Sequence, residues 1–366
     1  MKKKMLLTFI IILLMLLLLL FPNLCLQSAQ NGLLLWFNKV LPSLLPFMIF
    51  INILVPLDGL RKLIAFSSPL SKKLWHLPGY SFFAFIMGLI AGYPMGAKIV
   101  KNLYMDRKLT KEEAVLTLCF SNNCGPLFIV GTIGTAMLSC TSIGYFLFFI
   151  HLLSALAMSI LTTRNHTLYS SRNKTPYTSN TTPSFSYLLN QGVMNAMETI
   201  VCVGGYIILF SVITTLLTQT PLANTLINLA FSSPVVSTLF KGVFSGFLEL
   251  SNGSHILSLV TPFSVYTLAL IAAIIGFGGL CVYFQTLYVL EGCSLSTKTY
   301  FISKCLQGLL SFSFTLIIYP FYTLYTYGTS LTLSYSTLLQ GLLMLCLCLL
   351  IGYFTFTPRT PLHHSA

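Results

Sequence analysis

Glycine, proline and small polar residues interrupt four stretches that would otherwise be membrane-spanning apolar runs. The interruptions are Gly92-Tyr93-Pro94-Met95-Gly96, Ser121-Asn122-Asn123-Cys124-Gly125-Pro126, Glu249-Leu250-Ser251-Asn252-Gly253 and Gly276-Phe277-Gly278-Gly279. An unpaired backbone group inside hydrocarbon costs several kcal/mol, so unwound helix is tolerated there only where protein or a water-filled cavity supplies partners. The four breaks therefore predict a chain that handles a solute or an ion.

The turn from Gly92 to Gly96 ends one half-helix and begins another. The amides after Gly96 then direct partial positive charge toward the middle of the bilayer, which suits an anionic or oxygen-rich ligand. We predict that Gly92, Pro94, Gly96 and Lys98 belong to a substrate site, because an intramembrane lysine is costly unless it is paired or hydrated. The alternative is a shallow hairpin whose Lys98 reaches the membrane surface.

Neutral polar side chains precede the second break. Ser121, Asn122 and Asn123 offer hydroxyl and amide groups just before Pro126, which lacks an amide donor and so frees carbonyl groups. Such groups fit sugar hydroxyls, base edges or a small cation. The alternative is a polar patch that forms hydrogen bonds between helices.

An acidic residue, Glu249, lies inside an apolar run, with Ser251 and Asn252 beside it. An intramembrane acid is a functional candidate, and these residues are predicted to bind a proton, a sodium ion or an amine of the ligand. The alternative is a structural ion pair between Glu249 and Lys98 or Lys241.

Composition excludes several classes of protein. Charged residues make up 7% of the 366 residues, hydrophobic residues 55%, and the mean hydropathy is +0.85, which predicts an all-α polytopic membrane protein in a lipid bilayer. The net charge of +13 comes from lysines and arginines assigned to short loops between spans, so it indicates orientation in the membrane and no nucleic-acid partner. No catalytic grouping or zinc spacing is present, so we expect no enzyme activity, no metal and no cofactor.

The order of apolar runs predicts about eight spans plus two re-entrant hairpins, arranged as an inverted repeat that resembles a transporter. The predicted divisions are an N-terminal membrane anchor span at 1–30, a first membrane half at 35–163, a cytoplasmic polar linker at 164–184, an inverted second half at 185–328, and a last span with a C-terminal tail at 329–366. The alternative for the first segment is a signal peptide.

Positive charges set the expected orientation. Lys2 to Lys4 place the N-terminus in the cytoplasm, the first span is expected to end near Gln27, and the C-terminus is also cytoplasmic. Basic residues flank 80–97 on both sides, which favours a hairpin over a crossing.

The span after the last break is expected to begin near Leu306. Thr110 and Glu113 form a capping box, which predicts a helix from there to Phe120.

Three motifs carry a family resemblance: Gly-Tyr-Pro-Met-Gly-Ala-Lys at 92–98, Phe-Ser-Asn-Asn-Cys-Gly-Pro-Leu-Phe-Ile at 120–129, and Glu-Leu-Ser-Asn-Gly at 249–253. They resemble the YlbJ family of sporulation integral membrane proteins, over about residues 41–307. The resemblance implies a nucleoside-recognition or Gate domain, as in concentrative nucleoside transporters, and a role in spore cortex formation in the mother-cell or forespore-surrounding membrane. It leaves two functions open: transport or sensing of a small polar, nucleoside-like solute or a coupling ion, and a non-transporting scaffold for the spore envelope.

Overall fold

The computed structural model describes residues 2–55, 57, 59–164, 184–261, 263–327 and 335–356. Every regular element within these ranges is a helix, which confirms the predicted all-α class. Residues 165–183 of the predicted linker and most of the C-terminal tail lie outside the described residues.

Before the predicted linker, the described residues form eight α-helices and two π-helical segments. Their bounds are α1 (Lys2–Leu20), α2 (Pro22–Leu35), the π-helical segment Trp36–Val40, α3 (Leu41–Leu54), α4 (Gly59–Trp75), α5 (Gly79–Ala91), α6 (Met95–Met105), α7 (Lys111–Ser121), the π-helical segment Leu127–Met137, and α8 (Thr141–Thr163). The second half contains α9 (Phe185–Gln219), α10 (Pro221–Ala230), α11 (Pro234–Leu248), α12 (Leu250–Ser258), α13 (Val265–Phe277), α14 (Gly279–Val289), α15 (Thr297–Tyr327) and α16 (Tyr335–Phe356).

Six helical stretches in the described part of the chain are long and apolar enough to cross a membrane. They are Pro22–Leu54, Thr141–Thr163, Phe185–Gln219, Val265–Val289, Thr297–Tyr322 and Thr337–Phe356. A seventh is obtained if Ile64–Trp75 and Gly79–Ala91, bent by 95° from each other, count as one span. The protein is therefore a polytopic membrane protein with a span count close to the predicted eight.

The N-terminal region differs from the expected path. Gln27 lies inside α2, and the first helix ends at Leu20, before Phe21 and Pro22. Proline is well suited to the first turn of a new helix because its missing amide hydrogen is not needed there. The chain then continues through Pro42 and Pro46 as one stretch of 33 residues.

Packed helix pairs lie at the positions of the two predicted hairpins. Helices α5 and α6 meet at Gly92, whose φ of +80° favours glycine, and α11 and α12 meet at Glu249. The second turn is tighter than the predicted break of Glu249 to Gly253, because only Glu249 leaves the helical conformation.

Both predicted helix breaks are also present. Helix α7 ends at Ser121, and helical structure resumes only after Pro126. Helices α13 and α14 are separated by Gly278 in the left-handed conformation, with φ of +85°. Gly276 packs closely on α15, since a Cβ there would lie 2.7 Å from the Ser311 hydroxyl oxygen.

Helix α15 joins the two halves of the protein. It packs against α13 and α16, and also against α7 and α8 of the first half. Helix α9 packs along α2 and α3 in the same cross-half manner, and the Trp36 indole donates to the Ile200 carbonyl oxygen at 3.0 Å. The breaks lie in one region, since a Cβ at Gly278 would lie 3.2 Å from the Tyr93 ring and a Cβ at Gly279 would lie 3.3 Å from the Leu250 amide nitrogen.

Candidate functional site

The capping box at the start of α7 fixes the helix that leads into the first break. Thr110 Oγ1 accepts from the Glu113 amide at 3.2 Å, and Glu113 Oε2 accepts from the Thr110 amide at 2.7 Å. The predicted box and its helix are confirmed, with α7 ending one residue later than expected, at Ser121.

The first hairpin crosses directly over the unwound segment. A Cβ at Gly88 or Gly96 would overlap the carbonyl oxygen of Ser121, and a Cβ at Gly92 would lie 2.9 Å from the Gly125 amide nitrogen. Glycine is therefore required for this approach of two backbones. The predicted residues Gly92 and Gly96 shape the site by permitting contact with the break.

Asn122 connects three parts of the molecule. Its Oδ1 accepts from the Ala97 amide at 3.4 Å, and its Nδ2 donates to Thr286 Oγ1 at 3.0 Å and to the Tyr300 hydroxyl at 2.7 Å. The side chain is fully buried. These bonds join the first hairpin, α14 and α15, as the interhelical alternative for this segment requires.

A buried lysine that sequence reasoning missed lies against the same segment. Lys304 Nζ donates to the Asn122 carbonyl oxygen at 2.9 Å and to Gln307 Oε1 at 2.6 Å, while Gln307 Nε2 donates to Asn123 Oδ1 at 3.0 Å. We call Asn122, Asn123, Lys304 and Gln307 the Lys304 cluster. Assigning basic residues to loops was wrong for Lys304, because α15 begins at Thr297 rather than near Leu306.

The signal for this lysine was present in the chain as a polar pair. Lys304 and Gln307 lie one helical turn apart at the edge of an apolar run, a spacing that places both on one helix face.

His151 is a further residue that sequence reasoning missed, and its Nε2 accepts from the Cys124 amide at 3.1 Å. Helices α8 and α15 thus supply partners for two polar groups of the unwound backbone.

Ser121 differs from its neighbours. Its hydroxyl is buried and has no hydrogen-bond partner among the described residues. The three predicted residues Ser121, Asn122 and Asn123 are therefore adjacent but not equivalent, and the two asparagines are committed to internal hydrogen bonds.

Glu249 caps the second arm of the second hairpin. Its Oε1 accepts from the Ser251 amide at 2.9 Å and its Oε2 accepts from the Asn252 amide at 2.7 Å, while Asn252 Nδ2 donates to Ser211 Oγ at 3.0 Å. The glutamate is 3% exposed. Two backbone donors at a helix N-terminus compensate part of the cost of burying a carboxylate.

Neither lysine considered as a partner contacts Glu249. Lys98 donates to the Asn195 carbonyl oxygen at 2.9 Å and to Thr199 Oγ1 at 2.6 Å, and Lys241 donates to Asn224 Oδ1 at 2.6 Å. The alternative of an ion pair with Glu249 is therefore wrong for both lysines. Lys98 joins α6 to α9, away from the Lys304 cluster.

A small cavity lies where the two hairpins and the two broken helices meet. It has about 50 Å³ of room for water, and its polar lining comes from Tyr93, Glu249, Ser251 and Gln285, with Cys124 and Cys281 beside them. We call it the central cavity. Of the predicted site residues, Glu249 and Ser251 line it, whereas Asn122, Asn123 and Lys98 do not.

A narrow cleft adjoins the central cavity. It is lined by Pro94, Thr199 and Tyr288, and it shares Val203 and Gln285 with the cavity. Gln285 therefore stands between the cavity and a cleft that continues along the interface of α9 and α14. In the described residues, no cluster of three histidine, cysteine or acidic side chains is arranged to hold a metal ion.

Comparison with known proteins confirms the resemblance seen in the motifs. Residues 37–139, which include the first hairpin and the first break, match the family model described as Gate, nucleoside recognition. The chain is 27% identical over 336 residues to the sporulation integral membrane protein YlbJ of Bacillus subtilis (strain 168), covering 82% of this chain and 79% of that relative. No solved structure matches the chain.

Proposed function

From the similarity to a sporulation membrane protein, we propose that this protein transports or senses a small polar solute during spore formation and is needed for the spore cortex. The observation that carries the proposal is the central cavity, where a buried carboxylate lies at the meeting point of two helix breaks. Intramembrane ionisable groups and discontinuous helices commonly mark substrate and ion pathways. The match to a nucleoside-recognition domain supports a nucleoside-like solute.

The cavity is too small for a nucleoside. A volume of about 50 Å³ has space for a few water molecules or a small ion. Sites for small organic molecules occupy about 300 Å³ or more. A nucleoside-sized solute therefore requires this region to widen, and we propose that it widens toward the adjoining cleft, because Gln285 and Val203 line both.

The repeated arrangement of a hairpin followed by a broken helix supports an inverted repeat with re-entrant hairpins. In this proposal the linker and both termini are cytoplasmic, and the protein resides in the mother-cell or forespore-surrounding membrane. Lys72 and Lys73 before the first hairpin and Arg107 and Lys108 after it support a cytoplasmic position for both of its ends.

Single cysteines placed at positions 70, 106, 140 and 258 of a cysteine-free variant test this orientation. We expect positions 70 and 106 to react with an impermeant thiol reagent only from the cytoplasm, and positions 140 and 258 only from outside. Reaction of 70 and 106 from opposite sides would mean that residues 80–97 cross the membrane, and it would remove the main support for a re-entrant hairpin.

Transport or sensing and a scaffold role can be separated by substitution of Glu249 and Ser251, which both line the central cavity. We propose no enzymatic role. Glu249→Gln keeps the shape of the side chain while removing its charge. In sporulating cells, we expect Glu249→Gln and Ser251→Ala to insert in the membrane but to abolish cortex formation. The matched control is Glu291→Gln, since Glu291 is exposed.

Binding is measured on the purified protein by its unfolding temperature with a series of nucleosides and with sodium chloride. We expect at least one compound to raise the unfolding temperature of the native protein and of Glu291→Gln, but not of Glu249→Gln. Normal cortex formation by both Glu249→Gln and Ser251→Ala would contradict solute handling and would favour the scaffold.

A further inference from the structure

Lys304 is a buried basic residue in a part of the chain that offers it no acid. Its side chain is 2% exposed, and it makes no ion pair with any carboxylate of the described residues. A charge in such a position is costly unless other groups compensate it. The groups around Lys304 Nζ therefore decide whether the site suits an ammonium ion.

The groups shown in contact with Lys304 Nζ are two hydrogen-bond acceptors and one electron-rich ring. The Asn122 carbonyl oxygen lies at 2.9 Å, Gln307 Oε1 at 2.6 Å, and the centre of the Tyr93 ring at 5.1 Å. An ammonium group has three hydrogens to donate, and these contacts can use all of them. A neutral amine could donate to the two oxygens with its two hydrogens but would leave its lone pair for the third direction, whereas an ammonium group directs a hydrogen toward the ring face, so the third contact favours the charged form.

The negative potential at this position arises from the helix break. Helix α7 ends at Ser121, so its C-terminal carbonyl groups, which carry partial negative charge, end beside Asn122. Cations are stabilised at such an end. The unwound segment thus forms a cation-binding position from backbone oxygen, an amide oxygen and an aromatic face.

We propose that Lys304 is a tethered cation that fills a cation-binding site built by the first helix break. The site selects a primary ammonium group, since it supplies two oxygens and a ring face to one nitrogen. Shortening the side chain of Lys304 would then leave a site for a free alkylammonium ion. This inference concerns the stability of the broken helix and does not depend on the proposed solute handling.

Chemical rescue of Lys304→Ala tests the site. We expect the substitution to lower the folded-to-unfolded ratio of the purified protein in detergent by about tenfold or more, because it leaves buried acceptors without a donor. Propylammonium chloride should restore most of this loss, and methylammonium less. Tetramethylammonium chloride is the control salt, because this cation has no N–H donor. Lys298→Ala is the control substitution, because Lys298 is an exposed lysine on the same helix. Equal effects of propylammonium and tetramethylammonium would overturn the proposal.

A second comparison keeps Lys304 and decides the question if Lys304→Ala does not fold. Gln307→Glu places a carboxylate beside Nζ, whereas Gln307→Leu removes the acceptor, and both lose the bond to Asn123 Oδ1. If Lys304 carries a positive charge, the Gln307→Glu protein should unfold at a higher temperature than Gln307→Leu. A lower unfolding temperature for Gln307→Glu would show that no cation occupies the site, and the proposal would be wrong.

Discussion

Replacement of Gly96 by alanine tests whether the first hairpin rests on the unwound segment. A Cβ at this position would overlap the Ser121 carbonyl oxygen and lie 2.7 Å from the Asn122 Cα. Both are backbone atoms, so no change of side-chain rotamer relieves the overlap. Overpacking of this kind typically costs about 1–3 kcal/mol. The ratio of folded to unfolded protein should therefore fall by about 5- to 150-fold.

The assay is reversible unfolding of the purified protein in detergent, followed by circular dichroism. Gly205→Ala is the matched control, because a Cβ at Gly205 has nothing within 4 Å and Gly205 is also helical. Alanine favours a helix over glycine by up to about 1 kcal/mol, so the control should be unchanged or slightly more stable. The difference between the two variants isolates the steric effect.

Equal stability of Gly96→Ala and Gly205→Ala would refute the reasoning. It would show that α6 does not approach the break as closely as the structure indicates. The contacts of Asn122 with the first hairpin would then need revision, since the Ala97 amide bonded to Asn122 Oδ1 follows Gly96 directly. A loss of stability confined to Gly96→Ala supports the crossing of the two elements.

Two other pairs of substitutions give stability predictions, each measured by the same unfolding assay. Thr110→Ala should destabilise the protein by about 1 kcal/mol through loss of the helix cap. Its control, Lys111→Ala at the exposed neighbouring position, should have little effect. Equal effects of the two substitutions would contradict the capping role. Ser121→Ala should leave stability unchanged or raise it, because the Ser121 hydroxyl has no partner in the described structure. Thr117→Val should cost about 1–3 kcal/mol of stability, because the Thr117 hydroxyl donates to the Ser81 hydroxyl at 2.7 Å and valine cannot replace it. A larger loss for Ser121→Ala than for Thr117→Val would be evidence of an unrecognised partner of Ser121.

The positions of the helix breaks could be predicted because their causes are local. Gly92 and Gly278 adopt positive φ values that other residues rarely adopt, and Pro126 cannot donate an amide hydrogen to the preceding turn. The apolar composition predicted the all-α class for the same kind of reason, since backbone groups in lipid must be paired within a helix. Such effects depend on residue type and nearest neighbours in the sequence.

The partners of the polar groups were not predictable in the same way. The opposite charges of Lys98 and Glu249 suggested an ion pair. In the structure, Lys98 instead forms hydrogen bonds to α9, and Glu249 caps the second arm of its own hairpin. Charge complementarity in a sequence does not specify distance. In the structure, the backbone amides that follow Glu249 in the chain lie within hydrogen-bond distance of its carboxylate, whereas Lys98 lies in a different interface.

Sequence alone determined that this protein lies in a membrane, where its helices break, and how α7 begins, because hydrophobicity, glycine, proline and capping chemistry act locally. Tertiary structure alone decided that Lys304, 182 residues beyond Asn122, fills the first break, and that Glu249 faces a cavity with Gln285. The physical reason is that a buried polar group takes whichever partner long-range packing brings within hydrogen-bond distance. Helix α15 brings Lys304 to the first half of the protein, and no local pattern encodes that contact.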